Sequence, residues 1–255
     1  MQSSNAWVRF LDRMVKGVLP VAVESFAPPP RQIAEDLWVV VRQLRLSPAL
    51  RLPTHMTLIR LPNGAVVVHS PVQIDPALLA ATNQIGAVAA ILAPNSFHYA
   101  YAADWVRQFP AARFYCAPGL PARVPGLPAA TELSDAVPDL WSGEIDQIVY
   151  APPGPFSEVV FRHRRSQTLI LSDLAFNMVA FDSLAQRIGW RLMGVPPDFG
   201  PSRTARLTLL RDRRVARPYL HRMAEWKFER LIVAHGEVVE SDAHAVFERG
   251  FAAFL

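Results

Sequence analysis

The sequence has one cysteine, few charged residues and no long uninterrupted apolar run. Cys116 has no second cysteine to pair with, and its apolar neighbours Phe114 and Tyr115 predict a buried, unreactive thiol. No apolar stretch reaches the roughly eighteen residues that a membrane-spanning helix needs. Charged residues make up 19% of the chain and hydrophobic residues 51%, a balance that excludes a disordered chain and supplies an extensive core. We therefore expect a folded cytoplasmic protein with no transmembrane segment and no disulfide framework.

Lysine is almost absent as well. Two of the 26 basic residues are lysines, Lys16 and Lys227, which leaves 24 arginines in a chain of net charge +4. Arginine pairs well with phosphates, so nucleic-acid binding has to be weighed. The arginines are dispersed, however, apart from a run between Arg203 and Arg222 that predicts the exposed face of one or two helices. We therefore expect no nucleic-acid partner.

Residues 1–30 form a segment of their own. Between residues 6 and 23, apolar side chains are interrupted at helical spacing by Arg9, Asp12, Arg13 and Lys16. Charges inside the apolar stretch are not typical of a signal peptide. The pattern predicts an amphipathic helix that packs on the domain or on a partner, as in an oligomer, with membrane-surface contact as the alternative. A proline-rich connection follows, and residues 31–255 show no linker, so we expect a single domain there.

The clearest local structure is a β-hairpin. Residues 56–61 and 65–71 are apolar or β-branched, and Asn63-Gly64 between them tolerates the positive φ of a tight turn. Strand and helix patterns alternate elsewhere, but the hairpin argues against a purely parallel sheet. Further strands are predicted at 37–41, 87–92, 113–116, 143–150, 158–162, 168–171 and 231–234. Helices are predicted at 75–84, 98–109, 184–229, with breaks at Pro196-Pro197 and before Pro218, and 243–255.

Three polar residues each follow a short buried strand. They are His98, Asp173 and His235, after the apolar runs 90–92, 169–171 and 231–233. Strand ends at one edge of a sheet converge in space, which is where α/β proteins build their sites. Two imidazoles and a carboxylate suit one divalent metal, such as zinc, iron or manganese. The alternative is that each residue is a local cap or a satisfied buried polar group, with no metal bound.

Two of these positions lie in motifs that resemble the metallo-β-lactamase superfamily. Residues 233–236, Val-Ala-His-Gly, resemble its final histidine-glycine motif, and residues 171–174, Leu-Ser-Asp-Leu, resemble the strand that ends in a metal-bridging aspartate. Residues 56–71 resemble its opening hairpin, with His69-Ser70-Pro71 where Asp-Thr-Gly commonly stands. The resemblance implies a four-layer αββα sandwich, an α/β fold, over the chain from about residue 37 onward.

The departures from that family limit the chemistry. Its His-x-His-x-Asp-His segment aligns on residues 93–98, where His98 is retained and Ala93, Asn95 and Phe97 replace two histidines and an aspartate. The loop that usually carries the next histidine is Pro-Pro-Gly-Pro at 152–155. The resemblance therefore implies that one metal subsite has lost its histidines, whereas the other retains His98, Asp173 and His235.

These residues lead to two functional hypotheses. The first is a mononuclear metal-dependent hydrolase-like enzyme that acts on a small molecule, with Glu158 or His69 as the base or as a supplementary ligand. Glu158 facing solvent and His69 facing away from the site are the alternatives for those two residues. The second hypothesis is a non-catalytic relative that keeps the scaffold to bind a ligand or a protein partner. Neither a phosphate-binding glycine-rich loop nor Gly-x-Ser-x-Gly is present, so nucleotide hydrolysis and serine esterase chemistry have no motif support.

Several further polar residues were assigned from their neighbours. Asn95 and Asn177 are expected to orient an imidazole or a water through their amides. His163 stands among arginines and is expected on the surface. No role is expected for His55, nor for two further histidines, at positions 221 and 244.

Overall fold

The computed structural model of the protein describes residues 28–47 and 50–255, which fold into two facing β-sheets with helices on both outer faces. The predicted N-terminal helix, residues 6–23, lies outside the described residues. The strands are β1 Arg31–Ala34, β2 Leu37–Ser47, β3 Leu50–Arg60, β4 Ala65–His69, β5 Ala87–Ala93, β6 Arg113–Cys116, β7 Thr131–Glu132, β8 Ile145–Tyr150, β9 Glu158–His163, β10 Thr168–Ile170 and β11 Arg230–Ile232. The helices are α1 Pro76–Ile85, α2 Ala102–Gln108, α3 Leu120–Arg123, α4 Leu184–Leu192, α5 Arg203–Leu207, α6 Arg213–Ala224 and α7 Ala243–Phe251, with a 3₁₀ turn at Asp139–Trp141.

The first sheet contains seven strands in chain order, β1 to β7. Strands β1 to β4 are antiparallel neighbours, and β4 to β7 are parallel. The predicted hairpin is β3 and β4, and Gly64 in its turn has φ +83°, which a residue without a Cβ adopts without strain. The hairpin therefore introduces the antiparallel half of a mixed sheet, as its sequence indicated.

The second sheet contains four strands in the order β11, β10, β9 and β8. Strands β8, β9 and β10 are antiparallel, whereas β10 and β11 run parallel in a register that pairs Ile170 with Ile232. Because these two strands start level and run the same way, the residues that follow them leave the sheet at the same edge. Asp173 and His235 each lie three residues beyond that last pair, so the register brings them together.

The core forms three layers, which correspond to the αββα arrangement. Between the sheets, Val67 and Leu92 pack against Phe161 and Ile170. Outside the first sheet, α1 and α2 cover a cluster that includes Leu78. Outside the second sheet, α6 and α7 cover a third cluster, the largest. Both faces of each sheet are therefore buried, which explains why the central strands are continuous apolar runs instead of alternating ones.

Of the two helix breaks that the sequence predicts, one is wrong and one is confirmed. The chain does not break before Pro218, which lies inside α6. Proline lacks the N–H that would bond the preceding turn, but the helix continues because Ala216, Leu220 and Met223 anchor its buried face. Helical structure also ends at Leu192 and resumes at Arg203, so the predicted break at Pro196-Pro197 is confirmed.

Three other expectations are confirmed. Cys116 is fully buried, and burial raises the pKa of its thiol to about 12. The arginines between residues 203 and 222 are exposed. Among the described residues, no helix is long and apolar enough to cross a membrane.

Candidate functional site

The site lies where strands of both sheets end at one edge of the sandwich. His98 follows β5 of the first sheet, whereas Asp173 and His235 follow β10 and β11 of the second. One potential ligand atom from each of the three residues lies within 4.8 Å of the others. Backbone hydrogen bonds join the two sheets at this edge, from Val159 N–H to the Pro94 carbonyl and from His55 N–H to the Ala234 carbonyl. The three candidate ligands therefore converge where two backbone hydrogen bonds hold the edges of the two sheets together.

Asp173 is at the centre of the group. Its Oδ2 lies 3.4 Å from Nε2 of His98, and its Oδ1 lies 3.2 Å from Nε2 of His235. Burial raises the pKa of the Asp173 carboxyl, but the two imidazoles beside it outweigh burial and hold the pKa well below its usual range. Asp173 is therefore a carboxylate at neutral pH.

Each imidazole is oriented by its second ring nitrogen. Nδ1 of His98 lies 2.7 Å from the Ser70 hydroxyl, and Nδ1 of His235 lies 2.8 Å from the carbonyl oxygen of Pro53. A carbonyl can only accept, so Nδ1 of His235 carries the hydrogen, and Nε2 of the neutral ring is left with a lone pair. That lone pair faces a carboxylate oxygen of Asp173.

This donor set fits a divalent metal. Two acceptors in contact repel unless a positive charge is associated with them, either a second ring proton or a metal ion. Metal-binding histidines typically donate their other N–H to a carbonyl or carboxylate, as His235 does to Pro53. For a tetrahedral ion with bonds of about 2.0–2.1 Å, neighbouring donor atoms are about 3.3–3.4 Å apart. The separations of 3.2 Å from Oδ1 and 3.4 Å from Oδ2 of Asp173 are of that size, and one ligand atom of each residue lies within 4.8 Å of the others.

Asn95 connects His98 to Asp173. Its side-chain oxygen accepts from the backbone N–H groups of Phe97 and His98, both at 2.8 Å, and its amide nitrogen donates to Oδ2 of Asp173 at 2.7 Å. One amide therefore fixes both the loop that carries one imidazole and the carboxylate that faces it. Asn95 therefore orients the Asp173 carboxylate and the loop of His98, whereas the sequence predicts an amide that orients an imidazole or a water.

Glu158 lies beneath Asp173 and is fully buried. Its carboxylate accepts from the backbone N–H groups of Ser172, Asp173 and Leu174, at 2.8 to 2.9 Å. Burial and the nearby Asp173 charge raise its pKa to about 8, against the lowering effect of those hydrogen bonds. Both oxygens are engaged, so the geometry gives Glu158 a positioning role for the loop of Asp173, and its assignment as a base stays a prediction.

The His-Gly motif has a steric reason. Gly236 has φ +108°, and a Cβ there would lie 2.1 Å from the Asn177 carbonyl oxygen. Asn177 in turn accepts the Glu237 N–H at its carbonyl, donates its own N–H to the His235 carbonyl and donates its side-chain amide to the Glu237 carbonyl. These three hydrogen bonds, the Asn177 clasp, hold the backbone on both sides of Gly236. They contact the main chain of His235 and Glu237 and not the imidazole ring.

Two of the positions that depart from the metallo-β-lactamase pattern, Ala93 and Phe97, are filled by apolar packing. Ala93 is buried in the first sheet's outer cluster. Phe97 stacks on Phe156, with ring centroids 5.3 Å apart, and the Arg123 guanidinium lies 4.8 Å from the centre of the Phe156 ring. An aromatic side chain offers no ligand atom, so this side of the site is a wall.

His69 and His55 are buried near the site but do not point at its centre. Nε2 of His69 and Nδ1 of His55 have no hydrogen-bond partner. Burial lowers the pKa of His69 to about 3 and that of His55 to about 4. Both rings are therefore neutral in the folded protein, and a role of His69 as base or ligand stays a prediction.

One histidine was placed wrongly by its sequence neighbours. His163 is buried, not exposed, because Nδ1 of its ring bonds the Ser166 hydroxyl, which in turn contacts the Thr168 hydroxyl. The arginines beside it do turn outward, where Arg162 and Arg164 pair with Asp146. The charged neighbours therefore misled the prediction, because alternate residues of β9 face opposite sides.

A cavity of about 470 Å³ opens over the donor group. His98, Asp173 and His235 line it, together with Phe97 and residues of α4 and α5. No sequence pattern predicts the walls of the cavity, because they come from segments far apart in the chain. The same is true of the Pro53 carbonyl, because a backbone acceptor leaves no mark on the residue type.

Comparison with known proteins identifies the fold. A family model described as a domain of unknown function (DUF4336) matches residues 35–182. No curated protein sequence matches the chain. Among solved structures, a fragment from Nostoc sp. PCC 7120 described as a diflavin flavoprotein has 12% identity and a TM-score of 0.64, and the match covers 92% of this chain and 97% of that one.

Metallo-β-lactamases give a similar match. DIM-1 metallo-β-lactamase has 13% identity and a TM-score of 0.60, covering 90% of this chain and 98% of its own. A metallo-β-lactamase from Pontibacter korlensis has 11% identity and a TM-score of 0.58, covering 89% and 99%. At these identities the matches show the fold alone, a metallo-β-lactamase-like αββα sandwich, as the sequence motifs implied.

Proposed function

The chain belongs to the DUF4336 family, and we propose that it is a mononuclear metal-dependent hydrolase-like enzyme that acts on a small molecule. His98, Asp173 and His235 would hold one zinc, iron or manganese ion. A cytoplasmic location, favoured by the single buried cysteine, is part of the same proposal. Support comes from the geometry of these three residues and from their place in a fold whose solved examples include metallo-β-lactamases.

The observation that carries the proposal is the hydrogen bond from His235 Nδ1 to the Pro53 carbonyl. It commits the ring proton to the side away from Asp173 and directs a lone pair at the carboxylate. Nδ1 of His98 is held from behind by the Ser70 hydroxyl, a group that can either donate or accept. Two imidazoles held from behind, both aimed at one carboxylate, are what a metal site requires.

Three protein ligands leave a coordination position for substrate, the arrangement typical of catalytic sites. A bound ion would supply Lewis-acid polarisation of a substrate oxygen. The chain's own residues do the rest: Ser70 and the Pro53 carbonyl orient the imidazoles, Asn95 fixes the carboxylate, and Glu158 holds the loop that carries it. Phe97, in place of an aspartate, keeps a second ion and a second base out of that position.

The alternative is a non-catalytic relative that binds a ligand or a partner. A protonated His235 would donate to Asp173 at the observed 3.2 Å, and the three residues would then brace the edge of the sandwich without a metal. Metal content separates the two functions, because the imidazolium arrangement excludes an ion.

The test is metal analysis of protein purified without chelator or nickel resin, by inductively coupled plasma mass spectrometry. We expect about one equivalent of zinc, iron or manganese per chain in the wild type and less than about a tenth in His235→Ala. His221→Ala is the matched control, since that histidine is exposed and contacts only an exposed arginine in α6. It should retain the metal.

Loss of metal in His235→Ala but not in His221→Ala would justify screening hydrolytic substrates with the loaded protein. Less than about a tenth of an equivalent in the wild type, also after dialysis against each ion, would overturn the metalloenzyme proposal in favour of the binding relative.

A further inference from the structure

The walls of the cavity indicate what kind of molecule it binds. They are aromatic and aliphatic for the most part, with Leu52, Phe97, Phe176, Trp190, Val195 and Leu209 as the main contributors. The volume of about 470 Å³ lies in the range of small-molecule sites, about 300–1,000 Å³. An apolar cavity of this size binds chiefly by removing hydrocarbon surface from water.

Away from the candidate metal site, the side chains that line the cavity offer no cation to an anionic group of a ligand. Among the described residues that line it, neither arginine nor lysine occurs, and the charged side chains are Asp104 and Asp173. This is unusual in a chain whose 26 basic residues include 24 arginines. A phosphate or a carboxylate on the substrate's larger part would be buried there without a partner, which is costly.

The walls are fixed in place. The Trp190 indole donates to the Arg51 carbonyl at 3.1 Å, and Phe97 is stacked on Phe156. Phe176 lies against the His235 ring, with centroids 4.7 Å apart. Apolar surface therefore extends up to the candidate ligands, and a bound hydrocarbon group would lie directly beside them.

Apolar surface also continues outside the cavity. The exposed large hydrophobic residues of the described chain all lie in one segment, the one that carries α4 and α5: Val179, Leu184, Ile188, Leu192, Met193 and Leu207. Trp190, Met193 and Val195 of the same segment line the cavity. Monomeric proteins rarely concentrate exposed apolar side chains in one place unless an apolar molecule meets them.

We infer that the cavity binds a substrate whose larger part is an uncharged hydrocarbon group, an aliphatic chain or an aromatic ring, with its polar reacting group at His98, Asp173 and His235. This rests on the proposed function for the reacting group, but not for the hydrocarbon group. Apolar binding needs no metal, so the two can be tested apart.

The test is calorimetric titration of the protein as purified, and of His235→Ala, with 1-butanol, 1-hexanol and 1-octanol. Burying each methylene is worth about 0.8 kcal/mol, so affinity should rise about fourfold per carbon in both proteins. In His235→Ala, octanoate should bind at least about tenfold more weakly than 1-octanol, because its charge meets no cation. Affinity that does not depend on chain length, or octanoate binding as tightly as the alcohol to that variant, would overturn the inference.

A matched pair of variants locates the binding. Met193 lines the cavity, whereas the neighbouring Leu192 is 73% exposed and does not. Met193→Asp should weaken 1-octanol binding at least about tenfold, and Leu192→Asp should leave it unchanged. Equal effects in the two variants would place the alcohol on the outer surface and reject the cavity. Wild type that takes up no metal after dialysis against each ion, yet shows the chain-length dependence, would reject the metalloenzyme proposal while keeping the apolar site.

Discussion

Asp173 has two sides that differ in where the neighbouring polar atoms point. On one side, His98 and His235 are held from behind by Ser70 and the Pro53 carbonyl and direct their free nitrogens at the carboxylate. On the other side, Asn95 and Glu158 direct most of their polar atoms at backbone N–H groups. The first side has nitrogen atoms that are available to a metal ion, whereas most polar atoms of the second side are occupied by hydrogen bonds to the backbone.

The comparison shows that the polar residues on the two sides of Asp173 have different structural roles. Asn95 accepts from the backbone N–H groups of Phe97 and His98 and donates to Asp173, so no polar atom of this amide lacks a partner. The aspartate position goes further, because Phe97 and Phe156 close it with aromatic packing. The arrangement of the ligand side therefore depends on Ser70 and the Pro53 carbonyl, which hold the imidazoles, as much as on the two histidines.

The largest expected effect comes from disturbing the brace behind His235. In Gly236→Ala, a Cβ would lie 2.1 Å from the Asn177 carbonyl oxygen in a backbone with φ +108°, so the clasp must open. We expect a loss of about 4 kcal/mol in the free energy of unfolding, measured by urea denaturation. Gly143→Ala is the control: φ is +87° and nothing lies within 4 Å of its Cβ, so about 1–2 kcal/mol is expected. Equal losses would mean that the clasp is not rigid.

A smaller loss of stability should follow from placing a negative charge at Asn95, on the side of Asp173 that bonds the backbone. In Asn95→Asp, a carboxylate oxygen replaces the amide nitrogen that lies 2.7 Å from Asp173, so the two carboxylates must share a proton. The folded variant then binds a proton more tightly than the unfolded chain, and stability falls as pH rises. We expect a deficit of about 3 kcal/mol against wild type at pH 8 and less at pH 5, by thermal and urea unfolding.

Asn63→Asp is the matched control, because that residue is exposed in the hairpin turn. Its deficit should be small and the same at both pH values. A deficit in Asn95→Asp that does not change with pH would contradict the charge argument and indicate only a lost hydrogen bond.

The smallest expected effect is on metal affinity, and it tests whether Ser70 orients the imidazole of His98. Ser70→Ala removes the hydroxyl that lies 2.7 Å from His98 Nδ1, and metal affinity should fall about 10- to 100-fold. Ser172→Ala is its control, since the buried Ser172 hydroxyl lies beside Asp173 in sequence but has no partner. Competition with a chromogenic chelator measures both. Equal affinities in the two variants would show that Ser70 does not orient the ligand.

The sequence was sufficient for the fold and for the residues of the site, but not for its surroundings. The hairpin at Asn63-Gly64 and the strand-ending positions of Asp173 and His235 follow from local patterns, and the parallel register of β10 and β11 brings the last two together. Such signals lie within a few residues of each other, so they can be recognised without knowing which elements pack.

Everything that depends on tertiary packing was inaccessible or wrong. The Pro53 carbonyl is 182 residues from the histidine that it holds, and no residue type reports a backbone acceptor. His163 was assigned to the surface because its arginine neighbours are exposed, although its own side chain faces a buried hydroxyl pair. The cavity walls include residues of α4, and no periodicity in the sequence predicts the contact of α4 with β3.

The long separation between Pro53 and His235 has a consequence for the order of events when the protein is made. The braces join β3 and β4 of the first sheet to loops of both sheets, so the candidate ligands are in place only after nearly the whole domain has been synthesised and the sheets have met. Contacts this distant in the chain form late, because closing so long a loop costs entropy before any contact stabilises it. We therefore expect a metal to bind after the domain has folded, and not to act as the nucleus around which the fold assembles.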